Sequence, residues 1–226
     1  EWYLGGDERV AVAGFWKEID APIEAFTGYN DNTPVTSFAN APRAELYGFE
    51  AEATKYFDLE RFASLPFFAS RRLVTIGNYT FTQSKLRVAP SDTVAVFGTT
   101  VQPATNFFID GAPLTGQSDH LVNLQIGLES SARQSQQTLL LSYASKRATS
   151  RGAAGLPDVF EDPGLSIDIV AREGFTLFGQ DVELKLEGRN LNRRGYREFQ
   201  QRDGNRIFLN KYKTGASFAV SLSTRF

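Results

Sequence analysis

The stretch GASFAVSLSTRF (215–226) decides how the rest of the chain is read. Successive side chains of a β-strand point to opposite faces. Split by parity, Phe218, Val220, Leu222, Thr224 and Phe226 fall on one side. Ser217, Ala219, Ser221, Ser223 and Arg225 fall on the other. One face is therefore large and apolar, and the other is small and polar. A soluble sandwich buries such an apolar face in its core. An outer-membrane barrel turns it to lipid and keeps the polar face for the lumen. Parity alone leaves both readings open.

The same alternation recurs upstream. In HLVNLQIGLE (120–129), His120, Val122, Leu124, Ile126 and Leu128 oppose Asn123, Gln125, Gly127 and Glu129. In DVELKLEGR (181–189), Val182, Leu184 and Leu186 oppose Glu183, Lys185, Glu187 and Arg189. LSIDIVAR (165–172) sorts the same way. In YGFEAEATKYF (47–57), Tyr47, Phe49, Ala51 and Ala53 oppose Glu50, Glu52 and Thr54. In LVTIGNYTFTQS (73–84), Tyr79 and Phe81 oppose Asn78, Thr80 and Thr82. TLLLSYASK (138–146) alternates more weakly. RVAVAGFWKEID (9–20) puts Phe15 opposite Val10, Val12 and Trp16, so a bulge is expected there. The pattern predicts an all-β chain of about eight antiparallel strands.

Three features favour a membrane barrel. The stretches Arg9–Glu24, Ala69–Leu86 and Val182–Phe199 exceed the ~5–6 residues usual for soluble strands. Connections alternate in length. Ser130–Gln134 and Gly174–Gln180 are short and Asp58–Phe68 is intermediate, whereas Gly28–Ala41, Ala89–Ser118, Gly152–Gly164 and Gln200–Lys211 are longer. All the longer ones fall at one end of the strands, as in outer-membrane barrels. Aromatics gather at the short-turn end: Tyr56, Phe57, Phe67, Phe68, Phe175, Phe178 and Phe226. An interfacial girdle belongs there. The polar residues Glu50, Glu52, Asn78, Glu183, Lys185, Glu187 and Arg189 are then expected to face the lumen, with Glu183, Lys185, Glu187 and Arg189 forming cross-strand ion pairs or meeting a plug.

Composition removes other classes. The net charge of −2 over 226 residues argues against nucleic acid as the main partner. Without Cys there is neither a disulfide framework nor a thiolate metal site, and His120 is the single histidine. No apolar run is long enough for a transmembrane helix, and no stretch of the sequence reads as a signal peptide. Phosphate-loop and dinucleotide motifs are missing. Ser118, Asp119 and His120 are consecutive, so strand geometry keeps them from forming a triad. Asp158, Glu161 and Asp162 match no EF-hand spacing and read as a solvated acidic loop. The chain is expected to need no cofactor or metal and to catalyse no reaction.

Taken together, several stretches resemble the C-terminal part of the β-barrel of TonB-dependent outer-membrane receptors. They are NAPRAELYGFEAEATKYF (40–57), GNYTFTQSKL (77–86), APLTGQSDHLVNLQIGLE (112–129), SYASKRATSRG (142–152), GLPDVFEDPG (155–164), LKLEGRNLNRRGYREFQ (184–200) and NKYKTGASFAVSLSTRF (210–226). The resemblance implies that residues 1–226 form one segment, the C-terminal third of a barrel of ~22 strands. The plug and the earlier strands would lie outside it. It implies active import of a ferric siderophore, a cobalamin-like compound or a carbohydrate, energised through TonB. It implies as partners outer-membrane lipid, lipopolysaccharide, the plug and remaining barrel, the TonB complex, and the barrel-insertion machinery reading Phe218, Val220, Leu222 and Phe226. Ligand contacts are expected from outer loops at Tyr29, Asn30, Asp31, Phe97, Phe107, Phe108 and Asp110. Arg193, Arg194 and Arg197 are candidates to meet lipopolysaccharide phosphates. A free-standing eight-stranded barrel with a structural or adhesive role is the alternative.

Overall fold

The computed structural model describes every residue except 32, 60–64, 66, 69, 97–99, 131, 153–154 and 225–226. In chain order the strands are β1 (Trp2–Gly5), β2 (Glu8–Asp20), β3 (Ile23–Asn30), β4 (Thr33–Asn40), β5 (Arg43–Asp58), β6 (Arg71–Arg87), β7 (Thr93–Val94), β8 (Gln102–Pro103), β9 (His120–Ser130), β10 (Ser135–Ala144), β11 (Arg147–Gly152), β12 (Val159–Glu161), β13 (Gly164–Leu177), β14 (Gln180–Arg189), β15 (Gly195–Arg202), β16 (Asn205–Lys213) and β17 (Ser217–Thr224). Nine of them form a wall, ordered β1-β2-β5-β6-β9-β10-β13-β14-β17. All its pairings are antiparallel.

Unbroken register carries the period-2 pattern across the wall. β5 pairs with β6 from Arg43↔Arg87 to Asp58↔Arg72 without a shift. Each pairing therefore sets apolar residues beside apolar ones. Val12 meets Ala51, and Phe49 meets Phe81. Tyr79 meets Val122, and Leu141 meets both Leu124 and Ile167. Ala171 meets Leu186, and Leu186 meets Val220. This gives one continuous apolar face, still exposed at Val12, Trp16, Leu165, Ile169, Leu186, Phe218, Val220 and Leu222. β5 and β6, of 16 and 17 residues, are longer than the ~9–11 a strand needs to cross hydrocarbon. Among the described residues, no helix is long and apolar enough to cross a membrane.

Short and long connections segregate as expected. β13 and β14 join through Phe178–Gly179, both at positive φ (50° and 79°). That is the backbone of a tight hairpin whose twist matches its strands. Gly48 shows another local demand. A Cβ there would lie against the Phe81 carbonyl oxygen and the tip of the Phe15 ring. Only glycine lets the neighbouring strand and the ring approach so closely.

Several boundaries differ from the sequence expectation. Arg9–Glu24 is not one strand: β2 ends at Asp20, Ala21 has φ 51°, and β3 starts at Ile23. Val182–Phe199 likewise breaks at Asn190 (φ 52°), whose backbone N–H donates to Asp168 (2.7 Å). β2 carries no bulge against β5, since its register runs evenly from Arg9↔Thr54 to Asp20↔Arg43. The irregularity lies between β1 and β2, at Tyr3 and Gly5. Phe15 is simply a large side chain on the polar face, accommodated by Gly48 opposite it.

The longer connections carry strands of their own. β16-β15-β12-β11-β3-β4 form a second, six-stranded sheet, called the roof below. Beneath it lies the main hydrophobic core. Phe26 of β3 packs with Ala44 and Leu86 of the wall and with Val94, Val96, Ala104 and Phe108 of the 88–119 connection. This core sits on the wall's polar-face side, at the long-loop end.

Candidate ligand-binding site

The roof is assembled from three connections that are separate in sequence. β3 continues beyond β2, and β11 continues beyond β10. Three strands separate β2 from β10 in the wall. In the roof their continuations meet as parallel neighbours, Arg151↔Phe26 and Gly152↔Thr27. Thr27 and Ser150 share a hydroxyl–hydroxyl hydrogen bond of 2.5 Å beside this contact.

Arg151 holds the junction. Its Nε donates to Glu24 Oε2 (2.7 Å) and its Nη1 to Asp158 Oδ2 (2.6 Å). Its Nη2 donates to the Pro113 carbonyl oxygen. Glu24 Oε1 accepts from the Thr115 backbone N–H (3.1 Å), and Asp158 Oδ1 from that of Gly152 (3.1 Å). The Arg151 side chain is 3% exposed and that of Glu24 is fully buried. One guanidinium thus ties together the connections after β2, β6 and β10. Burial pushes the Glu24 carboxyl above its ordinary range, outweighing the opposing pull of Arg151.

The 88–119 connection fills the space under the roof. A single 3₁₀ turn, Ala104–Asn106, presents Phe107 and Phe108 to Phe26. The Phe26–Phe108 centroids are 5.1 Å apart in an edge-to-face arrangement, and Phe26–Phe107 are 6.3 Å apart. Phe108 is 1% exposed, so its ring belongs to the core. Phe107 is half-buried at the edge of that core. Asp110 is exposed but accepts the Val88 backbone N–H (3.0 Å), which pins the start of the connection. Tyr29 is exposed and donates its hydroxyl to Gln200 Oε1 (3.2 Å), joining β3 to β15. Asp31 sits at φ 46° in the β3–β4 turn, next to Asn30, whose backbone pairs with Thr33. Phe97 lies outside the described residues.

The wall's polar row is shared across strands. Asn123 donates to Asn78 (2.9 Å), and Arg9 pairs with Glu52 (2.5 Å). Glu50 points to the same face as Glu52. On β14 the ion pairs run along the strand rather than across it: Lys185–Glu187 (2.8 Å) and Arg189–Glu187 (3.5 Å). Glu183 accepts a hydrogen bond from Gln134. Ser221 and Ser223, opposite Lys185 and Glu183, offer no charge to pair with, so the ion pairs form with i±2 neighbours. Asp158 and Glu161 are not a loose acidic loop. They are held by Arg151 and by Arg147 (2.8 Å). In β17, Phe218, Val220 and Leu222 all lie on the apolar face, while Phe226 is outside the described residues. Of the end aromatics, Phe57, Phe67, Phe175 and Phe178 are exposed. Tyr56 instead lies under the Arg72 guanidinium (4.2 Å) on the polar face.

Sequence reading missed the Glu24–Arg151–Asp158 knot and the β15–β16 hairpin. The hairpin had a signal. Asp203–Gly204, at φ 49° and 82°, is a preferred two-residue hairpin turn. The knot had none, because its members are up to 127 residues apart.

The family model described as TonB dependent receptor-like, β-barrel matches residues 1–191. No curated protein and no solved structure matches the chain. The matched family is one of outer-membrane receptors and transporters rather than enzymes, and it acts with a plug and TonB. The chain belongs to the TonB-dependent receptor-like β-barrel family of the bacterial outer membrane.

Proposed function

We propose that residues 1–226 form the C-terminal third of a receptor barrel that imports a scarce solute across the outer membrane, with energy delivered through TonB. The observation that carries this reading is the nine-stranded wall itself. Its apolar face is continuous, and among the described residues β1 and β17 each pair on one side only. A strand edge cannot stay unpaired in hydrocarbon, so further strands must close the barrel. Glu50, Glu52, Asn78, Glu183, Lys185, Glu187 and Arg189 then face a wet lumen and a plug. Phe218, Val220 and Leu222, with Phe226, serve as the recognition face for barrel insertion.

The roof is the receiving surface. Tyr29, Asp31, Phe107 and Asp110 lie on its rim or beneath it and are the contacts assigned to the ligand. Phe108 is better placed to support Phe107 than to touch a solute. A ferric siderophore, a cobalamin-like compound or a carbohydrate fits such an aromatic and acidic mouth.

Two measurements test the reading. Peptide mapping of the polypeptide purified from its native outer membrane should find a species several-fold larger than 25.1 kDa. A species of that mass alone would favour a small free-standing barrel. Cells carrying the whole receptor should accumulate at least one labelled ferric chelate, cobalamin or oligosaccharide only while TonB is present. Uptake indifferent to TonB would remove the transport assignment.

A further inference from the structure

The connection after β14 is far more basic than the chain as a whole. Residues 190–216 hold seven Lys or Arg against two Asp or Glu, in a protein of net charge −2. Most of this charge lies on the β15–β16 hairpin, and the roof arranges part of it.

Phe160, Phe199 and Phe208 stand side by side on β12, β15 and β16, because Phe160 pairs with Phe199 and Phe199 with Phe208. Their centroids are 6.4 Å and 6.1 Å apart. Each ring carries a cation. Lys146 Nζ lies 4.8 Å from the Phe160 centroid, the Arg206 guanidinium 4.5 Å from Phe199, and Lys211 Nζ 4.6 Å from Phe208. Phe199 is 2% exposed beneath this cover. Lys146, Arg206 and Lys211 are themselves exposed, and among the described residues none has a carboxylate within ion-pair distance. Arg206 has one anchor, Gln201, which accepts from its Nε (2.9 Å).

Other cations of the protein are held against carboxylates. Arg9, Arg72, Arg87, Arg147 and Arg151 all face carboxylates. Here three cations are ordered on rings and left without counter-charge. Neighbouring rings are 6.4 Å and 6.1 Å apart, so the three cations follow a row of adjacent rings. A ring fixes the position of a cation without cancelling its charge. Such a row is preorganised for an anion with several charged oxygens, since the charges are brought together before the anion arrives.

We infer that the Lys146–Arg206–Lys211 row is a binding site for a phosphate-bearing polyanion, supplied either by the headgroup of a surrounding glycolipid or by a free solute. The inference does not depend on the transport reading, and it differs from the expectation at Arg193, Arg194 and Arg197. Arg194 already spends its guanidinium on the Asp162 carbonyl.

The test uses the whole receptor in detergent, so neither TonB nor uptake enters the result. Tripolyphosphate binding is measured by calorimetry, and phosphate in co-purified lipopolysaccharide is counted. The same is done for a triple variant, K146Q/R206Q/K211Q. Each lost charge-assisted contact is expected to weaken binding several-fold, so the triple variant should bind at least about 30-fold more weakly. A second variant, F199L, keeps every charge and removes the central ring; intermediate weakening is expected. Folding of both is checked by heat-modifiable gel migration. Loss of co-purified lipopolysaccharide alone assigns the site to the glycolipid, and loss of tripolyphosphate binding alone assigns it to a soluble anion. If a folded triple variant keeps both, the inference is overturned.

Discussion

At the scale of single residues, Arg151 bears the heaviest responsibility for the roof. It contacts two carboxylates and a carbonyl oxygen from different connections while almost fully buried. Removing one member of such a group leaves the others charged and unsolvated. Arg151→Ala is therefore expected to destabilise the roof by about 3–5 kcal/mol. Hydrogen exchange at Phe26 and Thr27 should report it, with the wall amides protected as before. Glu24 supplies a second prediction. Its carboxyl titrates above the ordinary range because burial disfavours its charge. The closed roof thus holds a proton more tightly than an opened one. As pH falls through the raised value toward the ordinary carboxylate range, the closed roof should gain stability, and above the raised value the cost of the buried charge is fully present. Opening free energies from hydrogen exchange, corrected for intrinsic rate, should show this rise in the wild type and a flat profile in Glu24→Gln. A profile unchanged by the substitution would remove Glu24 as its source.

At the scale of elements, parity sets the role of each position in a wall strand. Leu141 lies on the apolar face between Leu124 and Ile167. Ser142, one residue on, lies on the polar face between Asn123 and Ser166. The same substitution should therefore have opposite consequences at the two positions. Leu141→Arg places a guanidinium in hydrocarbon, which costs ~2–4 kcal/mol near the bilayer midplane. Ser142→Arg places it in water and should be nearly neutral. Urea unfolding of the full receptor in lipid vesicles distinguishes them, and equal losses would mean that the faces are assigned wrongly. The faces were legible because alternation is a local property. Strand ends were less so. β2 and β14 each continue as alternating sequence past their real ends, and the breaks at Ala21 and Asn190 depend on positive-φ turns at residues other than glycine.

At the scale of the whole molecule, the wall and the roof rely on different forces. The roof has a buried core around Phe26, Leu86 and Phe108. The wall's apolar face has only lipid to bury against, and its two edge strands lack partners among the described residues. Residues 1–226 refolded alone in detergent are thus expected to lack the heat-modifiable migration of a closed barrel. The full polypeptide should show it. A heat-modifiable isolated segment would instead point to a self-closed barrel.

By itself the sequence determined the class of strand, the two faces of the wall, the end bearing long connections, and the family. All of these follow from side-chain alternation and connection length, which are local quantities. Only the tertiary structure decided that the long connections pair into a sheet, that Phe108 is core, that Asp158 answers Arg151, and that three cations line up on three rings. The physical reason is separation along the chain. Glu24 and Arg151 are 127 residues apart, and nothing in the alternation near either one names its partner. Their contact exists because β3 and β11, the extensions of β2 and β10, meet as parallel neighbours in the roof, where burial favours pairing every charge.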